Sequence, residues 1–102
     1  LATCYARVKG DLNSDQALQI LAETYSDMPF IVVNDKSPNT KSTFGSNAAH
    51  LTARVDPRTG LLVVLCAIDN LGKGASGQAV QCANIVLGLD ESDGLSAIGI
   101  SP

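Results

Sequence analysis

The stretch LLVVLCAIDNLGKGASGQAVQ, residues 61–81, decides between two folds. An apolar run is followed by Gly72, Gly74 and Gly77 in G-x-G-x-x-G spacing, and then by a helix-like run. Read as a dinucleotide fingerprint, it makes the chain doubly wound α/β. That fingerprint needs a second strand after the helix, with an acidic residue at its end roughly 20 residues beyond the glycines. Here Asp90, Glu91 and Asp93 fall in a turn, before the only candidate strand, SAIGIS (96–101), and Pro102 leaves no room for the rest of such a unit. A phosphate loop fails too, because Lys73 is followed by Gly74 rather than Ser or Thr. The glycines therefore do not read as a pyrophosphate cradle. The position still suits a ligand: Asp69-Asn70 ends a strand, just before a helix start with free backbone N–H groups. Asn70 offers both a donor and an acceptor, though as a turn residue or helix cap it needs no ligand.

Working outward, LLVVLCAI (61–68) is apolar on both faces and reads as a central strand. AAHLTARVD (48–56) alternates, with Ala49, Leu51, Ala53 and Val55 inward and His50, Thr52 and Arg54 on a polar face. DPRTG (56–60) is turn chemistry, so the two strands form a hairpin. LATCYARVK (1–9) alternates as a third strand, and FIVV (30–33) is a short buried fourth. Between these two, Ala17, Leu18, Leu21, Ala22 and Tyr25 form a helical stripe behind Asn13 as N-cap and Gln16 as its capping-box partner. Pro29 stops that helix. Residues 34–47 are a polar loop, longer than the usual roughly 4–6 residues, and loops of that length are often functional. The last helix carries Ala75, Ala79, Cys82, Ala83 and Val86 on one stripe and stops at Gly88. The order β-α-β-loop-β-β-α predicts an α+β fold on a mostly antiparallel sheet.

Composition narrows function further. Aromatics are 4% and Trp is absent, so aliphatic residues must make the core. All seven Lys and Arg lie at or before Lys73 and net charge is −3, which disfavours nucleic acid. No apolar run approaches the roughly 20 residues of a membrane helix, and no secretory leader is visible. Cys4, Cys66 and Cys82 lack C-x-x-C spacing and sit among apolar neighbours, so they read as reduced, buried thiols rather than metal ligands. The chain starts at Leu1, directly in a strand, and is expected to be a piece of something longer.

AIDNLGKGASGQAVQ (67–81) followed by GLDESDGL (88–95) resembles the C-terminal end of the N-acetyl-γ-glutamyl-phosphate reductase family. That family typically reads A-I-D-N-L-V-K-G-A-[AS]-G-Q-A-V-Q, then G-L-P-E-x-x-G-L. The likeness extends back through GSNAAH (45–50), PFI (29–31) and LATCYARV (1–8), covering essentially the whole chain. Gly72 stands where the family has Val, and Asp90 where it has Pro. The resemblance thus implies that the glycine triplet is incidental. It also implies an NADPH-dependent, cytoplasmic homo-oligomer acting on a small acyl phosphate. Its pyrophosphate-binding glycines, its catalytic Cys and its acid–base His would lie upstream of Leu1. Neither the three cysteines nor His50, which reads as a surface residue, matches them. By the same resemblance, residues 1–70 are part of a substrate and dimerisation domain, and residues 71–102 are a terminal helix and tail docking toward a nucleotide-binding domain. Asn70 matches the residue that orients the nicotinamide carboxamide, and Gly74 would let backbone approach the cofactor. A related carrier-linked reductase of lysine biosynthesis shares this fold and chemistry. A ligand-free dimerisation module is the alternative from another class.

Overall fold

A computed structural model describes residues 1–100. The strands are β1 (Ala2–Arg7), β2 (Ile31–Val33), β3 (Ala49–Val55) and β4 (Leu61–Ile68). The helices are α1 (Ser14–Thr24) and α2 (Gly77–Leu87), and one π-helical turn, Gly72–Ser76, leads into α2. The sheet order is β1-β4-β3-β2. β4 lies antiparallel to both β1 and β3, while β2 pairs parallel to β3. The mostly antiparallel α+β sheet and the interior place of β4 are as the sequence predicts. The parallel pair explains the long loop: joining parallel neighbours takes a crossover of a dozen or more residues. The length of 34–47 thus follows from topology.

Local chemistry sets the boundaries. Asn13 Oδ1 accepts from Gln16 N–H at 2.9 Å and Asn13 N–H donates to Gln16 Oε1 at 3.0 Å, completing the capping box of α1. In the β3–β4 turn, Asp56 accepts from Arg58 N–H at 3.0 Å and from Thr59 Oγ1 at 2.6 Å. These bonds hold the Asp56 carboxyl below its ordinary range, with the Thr59 hydroxyl the larger cause. Gly88, with φ of 71°, ends α2.

α1 packs on one sheet face, where Ala17 meets Ala53, Leu62 and Val64 around a small apolar gap. Among the described residues, the buried apolar side chains are Phe30 and five alanines: Ala17, Ala48, Ala49, Ala53 and Ala67. Small side chains therefore line the core, and the larger aliphatics of β4 are only half-buried.

Four expectations need correction. Thr52, assigned to an outer polar face, is 1% exposed, on the strand face where the neighbouring His50 borders loop and tail residues. The stripe Ala75, Ala79, Cys82, Ala83 and Val86 has helical period but faces solvent, and the inward face of α2 is Gly77, Gln81 and Asn84. Cys4 and Cys82 are exposed and only Cys66 is half-buried, where burial pushes its thiol pKa up. Residues 96–100 form no strand. They strap the loop instead: Asn47 N–H donates to Ser96 O at 2.7 Å and Ile100 N–H donates to Phe44 O at 2.9 Å. Ser101, the last residue of that stretch, lies outside the described residues.

Candidate functional site

The strand pairings bring Leu1, Phe30, Ala48 and Asp69 to one end of the sheet. β4 delivers Asp69 and Asn70 there, and the π-helical turn follows at once. Asp69 is half-buried and grips backbone on both sides. Its Oδ2 accepts from Gly72 N–H and from Gly45 N–H, each at 3.1 Å, and its Oδ1 accepts from Leu71 N–H at 3.5 Å. Its carbonyl accepts from Gly74 N–H at 2.8 Å. Asn70 behaves differently. It is exposed, and its amide makes no hydrogen bond among the described residues. It borders an open depression of about 390 Å³ with Leu1, Thr40, Lys41, Phe44, Ile68 and Asp69. Asn70 Oδ1 lies 3.8 Å from where a Cβ on Gly74 would stand, so the two sequence-predicted site residues do come together.

The glycines owe their place to packing. A Cβ on Gly72 would stand 2.3 Å from Ser46 O, and one on Gly77 2.4 Å from Asn47 Oδ1. At Gly74 it would stand 3.1 Å from Asp69 O. The helix start thus rests on the Ser46–Asn47 loop closer than any side chain permits. Gly72 and Gly77 are required by this contact.

Polar side chains complete the docking of α2. Gln81 Oε1 accepts from Asn47 Nδ2 at 2.9 Å and from Lys73 Nζ at 2.5 Å. Gln81 Nε2 donates to Glu91 Oε1 at 2.5 Å, and Asn84 Nδ2 donates to Asp93 O at 2.9 Å. Lys73 Nζ also lies 5.5 Å from the centre of the Phe30 ring. Asn47 Oδ1 and Thr52 Oγ1 are buried with no hydrogen-bond partner among the described residues.

His50 is half-buried beside a second depression of about 460 Å³, bordered by Asn39, Lys41, Ser42 and residues 97–99. None of the cysteines lines it. Among the described residues no cluster of His, Cys, Asp or Glu could hold a metal ion, and no helix is long and apolar enough to cross a membrane. Sequence reasoning missed the grip of Asp69 and the Asn47–Gln81 contact. An Asp heading a turn before Leu-Gly is a readable sign of the first. The second joins residues 34 positions apart and leaves no local sign.

The pattern for the semialdehyde dehydrogenase dimerisation domain matches residues 1–70. N-acetyl-gamma-glutamyl-phosphate reductase of Frankia casuarinae is 46% identical over 104 residues, covering 100% of this chain and 30% of that protein. The reductase of the same name from Salinispora tropica is 54% identical over 85 residues, covering 81% of this chain and 26% of that one. That of Thermoanaerobacter sp. is 47% identical, covering 100% and 30%. The chain thus spans about three-tenths of the length of the curated relatives it matches. The match over residues 1–70 ends at Asn70, the residue that closes β4 at the candidate site, and the chain belongs to the semialdehyde dehydrogenase dimerisation-domain family.

Proposed function

We propose that this chain is the C-terminal part of an NADPH-dependent reductase that converts N-acetyl-γ-glutamyl phosphate to N-acetylglutamate semialdehyde in arginine biosynthesis. The relatives' shared name supports the substrate, and the family supports a homo-oligomer. In this reading the thiol nucleophile and the acid–base histidine lie outside residues 1–102, and the 102 residues alone are inactive. Residues 71–102 dock toward the nucleotide-binding domain through the exposed stripe of α2.

The observation that carries a cofactor role is the free Asn70 amide at the mouth of an open depression. Such an amide can pair with a carboxamide, donor to acceptor in both directions. Gly74, itself without a side chain, is exposed beside Asn70, which leaves room for a ligand to approach. NADPH, when bound, supplies hydride to the acyl carbon. Asn70 orients the nicotinamide amide, and the rigid end of β4 keeps that orientation fixed.

In the full-length reductase, Asn70→Ala removes this contact. A lost hydrogen bond that strands a buried partner costs ~1–3 kcal/mol, so kcat/KM for NADPH is expected to fall roughly 5- to 150-fold. Affinity for NADP⁺, read by titration, weakens in parallel while the melting temperature holds. A normally folded variant with wild-type kcat/KM and wild-type NADP⁺ affinity would make Asn70 a turn residue only.

A further inference from the structure

Among the described residues, the Asp69 side chain ties the turn carrying Asn70 to loop 43–47. Its Oδ2 accepts N–H groups from both Gly72 and Gly45, which are 27 residues apart in sequence. Its Oδ1 faces Leu71 N–H. Gly45 belongs to the loop that also supplies Phe44 to the depression beside Asn70. That loop is held from behind by the tail, where Ile100 N–H reaches Phe44 O and the Ile100 side chain fills the space next to Gly45. Asn70 itself has no side-chain tether among the described residues, so its direction is set by the backbone on either side.

We infer that Asp69 is a positioning residue: its carboxylate latches loop 43–47 to the turn 70–72 and thereby fixes the direction in which Asn70 presents its amide. The inference rests on the cofactor reading of Asn70. A carboxylate suits the task because it accepts on both oxygens, and hydrogen bonds to a charged acceptor are the stronger kind. Asparagine at 69 keeps one accepting oxygen for Gly45 and Gly72 but turns an N–H₂ toward Leu71 N–H. Alanine keeps nothing.

The test uses the full-length reductase as wild type, Asp69→Asn, Asp69→Ala, Asn70→Ala and the Asp69→Ala/Asn70→Ala double variant. Hydrogen exchange in peptides spanning 42–48 and 69–75 should rise roughly tenfold in Asp69→Ala and less in Asp69→Asn, with no change across the 56–60 turn. In parallel, kcat/KM for NADPH should fall roughly tenfold in Asp69→Ala, with partial recovery in Asp69→Asn. Because Asp69 acts through Asn70, the double variant should be no worse than Asn70→Ala alone. If Asp69→Ala does not fold, the intermediate values of Asp69→Asn carry the same comparison. Unchanged exchange, or a double variant that loses the product of the two single effects, overturns the inference and leaves the role of Asn70 intact. Wild-type kcat/KM in Asn70→Ala overturns the cofactor reading itself, and the inference with it.

Discussion

Gly72 shows what one absent side chain can hold together. In the pattern that this stretch resembles, Val stands at this position, yet here the Ser46 carbonyl occupies the space next to the Gly72 Cα. The obstacle is the Cβ itself, so Ala and Val should meet it alike. Both Gly72→Ala and Gly72→Val must push the turn from loop 45–47, at the expense of the Asp69 bond to Gly45. Overpacking of this kind typically costs about 1–3 kcal/mol, and the melting temperature of each variant is expected to drop accordingly. Wild-type melting of Gly72→Ala would mean that the loop and turn do not meet this closely. Residues of the site differ in how legible they were. The place of Asn70 could be read, because an amide between a strand end and a glycine-rich helix start is a local pattern. The partners of Asp69 could not, because Gly45 reaches it only through the fold.

At the scale of elements, local chemistry was read well and burial poorly. The capping box of α1, the 56–60 turn and the stop at Gly88 depend on neighbours within a few residues, and all three stand as the sequence predicts. The outward turn of the α2 stripe and the burial of Thr52 depend on what lies across the fold, which periodicity does not encode. The turn also carries a pH signature. The Asp56 pKa is lowered on folding by Thr59 and Arg58, so the folded state favours the ionised form. The stability this contributes is present above the ordinary carboxyl value of 3.8 and is lost as pH falls through the lower folded value. Asp56→Ala should therefore melt below wild type at neutral pH, and the gap should close as pH drops beneath 3.8. A gap that persists unchanged in acid would show that Asp56 acts otherwise than as a carboxylate. The Asp90 carboxyl is held below its ordinary range in the same way, by Ser92.

The whole molecule is a plate. Its extents are 45 × 30 × 18 Å and its radius of gyration is 15.0 Å, against about 13 Å for a compact domain of this length. Its accessible surface is 6692 Å², where a compact monomer of 10.5 kDa exposes about 5400 Å². The excess exceeds the ~800 Å² that one partner contributes to a standard interface. Apolar side chains stand on it: Tyr5 on β1 is 69% exposed, Val86 on α2 83% and Leu87 71%. The isolated 102-residue chain is therefore expected to self-associate, with a light-scattering mass that rises with concentration. A constant monomer mass at high concentration would sink this expectation. The sheet order has a further consequence, in time. β1 bonds only to β4, with Ala2 opposite Cys66 and Arg7 opposite Leu61. A ribosome adding roughly 5–20 residues per second completes β1 several seconds before any residue of β4 exists. Through that interval β1 lacks its β4 partner, and Arg7 and Lys9 place at its end the kind of charge that keeps an unpaired strand from joining strangers.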